Sequence, residues 1–282
     1  GIFVTQSVHK QMAGFSQASQ IHKKDSHIKG QDRYVPHKRL NNAFMLHAST
    51  SPFYPIFTTL DVNARMHQGK EGEYLWQRVV KNGIELRKLV LHNCKYFRPL
   101  VPPSVHGKKW EDGKCADMTK DIAYWAFEPD AAWHAFKGYG EGQYFIDPCK
   151  LQLVTPGIDI RTGEYEREGI PANVLANYLR ENGVIPEKTD LNAILFLLTP
   201  GESMTKLSDL VDKLVEFERL YDEDALMKDM LPSIYAANEE KYKGYNIKRL
   251  CAEMHNFYKD RKVNILQRRL FAKDYLPEYV MD

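Results

Sequence analysis

Apolar and polar positions follow different periods along the chain, and the shifts between periods predict its elements. GIFVTQSVHKQ at the start is a short apolar run giving way to polar residues, which predicts a strand and then a turn. NNAFMLHASTSPFYP is a second apolar segment, ending in hydroxyls and two prolines, and is expected to set polar side chains at a strand end. From Glu73 the spacing lengthens. Leu75, Val79, Leu86 and Val90 recur at turn spacing with charges between them until RPLVPP stops the pattern, predicting one long helix that links two units.

YFIDPCKLQLVTPG returns to alternation with β-branched and aromatic residues, predicting strands at residues 144–146 and 151–154 and a turn at Gly157. GIPANVLANYLRENG is punctuated as a helix, with Pro171 in its first turn, a face of Val174, Leu175, Tyr178 and Leu179, and Gly183 just past its end. NAILFLLTPG reads as a buried strand. Leu207, Leu210, Val211, Leu214 and Phe217 then recur at helical spacing. Strand, helix, strand and helix in succession predict an α/β layer. Beyond Asp224 the chain reads as mostly helical and polar, with KGYNIKRLCAEMHNFYKDR amphipathic and LPEYVMD an extended end that leaves the last domain unclosed. No internal repeat or low-complexity tract is present, which removes solenoid and linker readings.

A length of 282 residues predicts two or more structural units. Hydrophobic residues make up 43% and charged residues 27%, and no apolar run approaches the ~18–20 residues a membrane span needs. The first residues lack the basic, apolar and small-residue regions of a secretory signal. With 39 Lys and Arg against 37 Asp and Glu, the net charge of +2 is too balanced for a surface built throughout for phosphate backbones. Cys94, Cys115, Cys149 and Cys251 form no C-x-x-C pair, so neither a zinc site nor a disulfide framework is indicated, and free thiols in a reducing cytoplasm are expected.

Candidate chemistry concentrates near Lys10. An amine attacks a carbonyl only when neutral, and His9 with the basic run from Lys23 onward would favour that form. Ser7, His9 and the hydroxyls of Ser49, Thr50 and Ser51 are types that bind phosphate through neutral hydrogen bonds, and with a lysine they outline a pyridoxal phosphate site. On residue types alone, Ser-x-His-Lys reads as an ordinary polar turn. His134, Asp147 and His255 read as packing or capping residues.

TQSVHKQMAGFSQASQIHKKDSHI followed by NNAFMLHASTSPFYP resembles the bacterial ornithine/lysine/arginine decarboxylases, pyridoxal phosphate enzymes of the aspartate aminotransferase fold type. The resemblance continues through FEPDAAWHAFKGYGEGQYFIDPCKLQL, GIPANVLANYLRENGVIPEKTDLNAILFLLTPGES and MLPSIY, and so covers essentially the whole chain. It implies an α/β architecture: residues 1–68 as the end of the cofactor-binding large domain, 69–224 as a small α/β substrate-specificity domain, and 225–282 as the beginning of a mostly helical C-terminal domain.

Carried over by the resemblance, Lys10 is the lysine that forms the internal aldimine, Ser7 and His9 are its phosphate-side neighbours, and Ser51 reaches the phosphate across a dimer interface. Decarboxylation leaves a carbanion that the conjugated cofactor delocalises, and Lys10 would release product and return a proton to the α-carbon. Glu187, in VIPEKTD, matches a glutamate that ornithine and lysine enzymes carry and arginine enzymes do not; its carboxylate would pair with the substrate's distal ammonium. Glu181, in LRENG, is a weaker candidate that reads as an exposed helix-end residue. Lys23, Lys24, Lys29, Arg33, Lys38 and Arg39, with Tyr34 interleaved, have the composition of a nucleic-acid patch, but balanced charge and the resemblance favour a charged wall near the cofactor phosphate or a subunit interface.

The implied reaction is conversion of L-ornithine to putrescine and carbon dioxide by a cytoplasmic homo-oligomer, at least a dimer, without nucleic acid or membrane partners. Lysine decarboxylation to cadaverine is the enzymatic alternative, and a non-catalytic assembly or regulatory module of the same fold is the alternative from another class. Family members carry a wing domain and most of the cofactor domain before the lysine, including the aspartate on the pyridine nitrogen and the histidine stacked on the ring, and further residues after this chain's end. The expectation is an internal to C-terminal portion with little or no activity by itself.

Overall fold

The short apolar run at the start of the chain forms β1 (Ile2–Ser7), which pairs antiparallel with β2 (Ser19–Lys24), Ile2 opposite Lys24 and Ser7 opposite Ser19. Helices α1 (His37–His47), α2 (Tyr54–Met66) and α3 (Gly69–Asn93) follow. The segment NNAFMLHASTSPFYP, expected at a strand end, is instead the second half of α1, a turn and the start of α2. No residue of α1 is β-branched, its Ala, Leu, Met and Phe suit a helix, and Pro55 stands in the first turn of α2, where its missing N–H costs nothing. The long helix predicted from Glu73 is α3, four residues longer at its start.

Residues 1–10, 12, 14–49 and 51–270 are described by the computed structural model, in which the chain divides into two compact units, Gly1–Gln77 and Arg78–Asp282. Thr50 and the predicted extended end LPEYVMD lie outside the described residues. No helix among them is long and apolar enough to cross a membrane.

In the second unit, β3 (Arg98–Pro99) is followed by the small antiparallel pair β4 (Ser104–Val105) and β5 (Lys108–Lys109), then α4 (Cys115–Met118). Next come β6 (Lys150–Val154), α5 (Ala172–Glu181), β7 (Lys188–Thr189), β8 (Ala193–Leu197) and α6 (Met204–Asp222). The short helices α7 (Met227–Met230), α8 (Pro232–Ala237) and α9 (Glu239–Tyr242) lead to α10 (Ile247–Asp260) and α11 (Val263–Leu270).

The predicted α/β layer is a four-stranded sheet in the order β3-β6-β8-β7, antiparallel throughout. Alternation assigns its faces. Leu151, Leu153, Ile194 and Phe196 are buried, together with the apolar face of α5 and with Leu210, Leu214 and Phe217 of α6. Gln152, Val154, Ala193 and Leu195 lie at the alternate positions. The strand predicted at residues 144–146 is reduced to an isolated bridge between Ala126 and Phe145. Pro148, two residues on, lacks the N–H a ladder needs, and the Asp147 side chain takes the Cys149 N–H at 2.9 Å, turning the chain before β6 begins.

Candidate active site

Lys10 lies on the loop that joins β1 to β2. Its N–H donates to Ser7 O at 3.3 Å, closing a turn at the end of β1, while Val8 and Ala18 are buried and anchor the two legs of the loop. The His9 N–H reaches Ala18 O at 3.3 Å, and His9 Nδ1 lies 2.9 Å from the same oxygen. A carbonyl only accepts, so Nδ1 carries a proton there. Gly14 donates to Val8 O at 3.1 Å, and a Cβ on Gly14 would also fall 3.1 Å from that oxygen.

Two polar residues of α2 hold this loop. Thr59 Oγ1 accepts the Phe15 N–H at 3.0 Å, and Asn63 Nδ2 donates to Met12 O; both side chains are buried. Their four-residue spacing places them on one face of the helix, but Thr58 and Asp61 lie among them, so the sequence does not single the pair out. Ser7 and Lys10 are exposed at the surface of a loop whose backbone is pinned from below.

Ser51 stands in the same unit on the turn between α1 and α2, exposed, with its N–H on Ser49 Oγ at 3.3 Å. In the basic stretch, Lys23 is committed to the buried Asp25 at 2.6 Å, whose other oxygen takes the Val35 N–H at 3.2 Å. Lys23 is therefore part of the scaffold, whereas Lys24, Lys29, Lys38 and Arg39 are exposed.

Glu187 belongs to the second unit and immediately precedes β7. Its N–H donates to Leu195 O at 2.9 Å, so the sheet sets its backbone while the residue is exposed. Glu181 is engaged: its carboxylate accepts the Ser233 N–H at 3.0 Å and hydroxyl at 2.8 Å, at the start of α8. His134 and His255 are buried, with Nε2 on Glu128 O at 3.1 Å and on Glu166 O at 3.0 Å. Asp147 caps its turn and pairs with Lys150 at 2.7 Å. The structure thus places Ser7 at the end of β1 and His9 and Lys10 on the loop that follows, while Ser51 occupies another loop of that unit and Glu187 the other unit. No group of His, Cys, Asp and Glu side chains suited to a metal occurs among the described residues.

In this mixed α/β chain, Ser7, His9 and Lys10 bring together, along four residues of sequence, the residue types used by enzymes that act through an amine. Residues 1–206 match the Orn/Lys/Arg decarboxylase major domain, and the chain belongs to that family. The inducible ornithine decarboxylase of Escherichia coli K12 and the ornithine decarboxylase of Haemophilus influenzae are each 59% identical over 282 residues, 100% of this chain. Lysine decarboxylase LdcA of Pseudomonas aeruginosa is 35% identical over 99% of the chain and 36% of its own length. Among solved structures, the constitutive lysine decarboxylase of E. coli superposes with a TM-score of 0.79 at 32% identity over 99% of this chain and 37% of that one. The chain spans 38% and 39% of the lengths of the two ornithine decarboxylases.

Proposed function

We propose that this chain serves pyridoxal phosphate-dependent decarboxylation of L-ornithine to putrescine and carbon dioxide. The observation that carries the reading is Lys10, exposed on a loop held by Thr59 and Asn63. The residues fit the cofactor: an amine for its aldehyde, with the Ser7 hydroxyl and His9 imidazole within three positions to meet its phosphate. When bound, the cofactor supplies the electron sink that accepts the pair left by departing carbon dioxide. Lys10 would hold it through its amine and would serve as base and acid toward the substrate.

Glu187 sets specificity in this reading, offering its carboxylate to the distal ammonium, a charge-assisted contact that an uncharged side chain cannot make. The higher identity to relatives named for ornithine, 59% against 35% for LdcA, supports ornithine over lysine. Residues 1–68 are taken as the end of an aspartate aminotransferase-type large domain, and Ser51 is assigned to the phosphate bound by a second copy, which makes the working unit at least a dimer. Free rather than paired cysteines support a cytoplasmic setting.

The test is reductive trapping. Borohydride added to the protein with pyridoxal phosphate should fix the cofactor on the peptide bearing Lys10, and Lys10→Ala should abolish both the adduct and the visible absorbance band. Trapping on a different lysine would overturn the assignment.

A further inference from the structure

The β6 and β8 positions that alternate with the buried ones form the floor of a cavity of about 590 Å³ in the second unit, and a hollow of about 400 Å³ adjoins it by sharing Leu100, Phe136, Lys137 and Gln152. Val154 and Ala193 lie in the floor, the residue 158–163 excursion and α11 form walls, and Phe136 closes one side. None of Ser7, His9, Lys10, Ser51 or Glu187 lines it.

Two cations line this apolar cavity without partners. Lys137 and Arg268, both solvent-exposed, make no hydrogen bond or ion pair among the described residues. Arg268 Nη2 lies beside Gly163, 2.7 Å from where a Cβ would stand, and Gly163 has φ +76°, which favours glycine there. The cavity also contains one carboxylate, Asp190, whose Oδ1 already accepts the Leu191 N–H at 2.7 Å and Gln267 Nε2 at 2.6 Å. Asp190 still counts, so with Lys137 and Arg268 the charged groups of the lining sum to +1. A cavity with apolar and polar lining is the make-up of a small-molecule site, and a net positive lining with two unpaired cations favours an anion.

We propose that this cavity binds a small organic anion with an apolar body, its carboxylate between Lys137 and Arg268 and its hydrocarbon against Phe136, Val154 and Ile158. Octanoate is the probe, and octanamide, equal in length but neutral, is the control, each titrated into the full chain by calorimetry. Octanoate should bind saturably at one site and octanamide at least tenfold more weakly. Lys137→Gln and Arg268→Gln should each cost about tenfold, the loss of one charge-assisted contact, at an unchanged melting temperature. Ile160→Trp, at the cavity wall, should abolish binding while leaving both cations in place. Equal binding of the two probes, octanoate affinity indifferent to all three substitutions, or no saturable binding would overturn the proposal.

Discussion

Cys94, Cys149 and Cys251 are buried thiols, and burial dominates their chemistry. Burial, with Glu218 second, pushes Cys94 up to about 12; burial alone does the same to Cys251, and burial with the nearby Asp147 raises Cys149 to about 11. At pH 8 a thiol of pKa about 12 is thiolate in roughly one molecule in ten thousand, and only the thiolate reacts. Cys115 is also raised by burial but is half-exposed. Titration with a disulfide reagent at pH 8 should therefore label Cys115 first, with the other three reacting in step with unfolding; rapid labelling of Cys251 in the native chain would contradict this packing. The count and scatter of cysteines, and hence the absence of a framework motif, were legible in the sequence. Which thiol stays reachable was not, because exposure depends on what packs against each residue.

At the scale of elements, α3 shows how one contact reverses a general preference. Gly83 lies inside the helix, where alanine normally stabilises by about 1 kcal/mol. Here a Cβ would fall 2.7 Å from Pro148 O and 3.1 Å from Arg87 Nη1. Neither neighbour can give way freely. Arg87 is fully buried over the Trp125 ring and donates to Gly83 O at 2.9 Å, Pro148 O at 2.9 Å and Lys150 O at 2.7 Å. Burial draws this guanidinium down to about 10, which still leaves it cationic at neutral pH and dependent on those carbonyls. Gly83→Ala should thus destabilise the chain by about 1–3 kcal/mol, the usual cost of overpacking, seen as a lower urea midpoint; a rise would show that the turn before β6 adapts. Periodicity found α3, α5, α6 and α10 because each buries one stripe. It misread α1, which buries no residue and so carries no core-facing stripe, and it over-read residues 144–146, where a nearby proline and an Asp147 turn outweigh β-propensity.

For the molecule as a whole, the two proposed roles fall in different units, Lys10 in one and Glu187 in the other. In an active holoenzyme, Glu187→Gln should lower kcat/KM for ornithine ten- to a hundredfold, the worth of about 1.5–3 kcal/mol for a hydrogen bond to a charged group, while borohydride trapping on Lys10 stays unchanged. An unaltered rate would discard the pairing and leave the role of Lys10 standing. By itself the sequence determined the family resemblance, the candidate residues Ser7, His9, Lys10, Ser51 and Glu187, and most of the helices, because each depends on side-chain identity and spacing along one stretch of chain. Only the tertiary structure decided that Thr59 and Asn63 pin the Lys10 loop, that Glu181 is spent on Ser233, that the sheet is antiparallel throughout, and that two unpaired cations share one cavity. These depend on contacts between residues far apart in the chain, where burial and competition for hydrogen bonds, rather than local preference, select the partner.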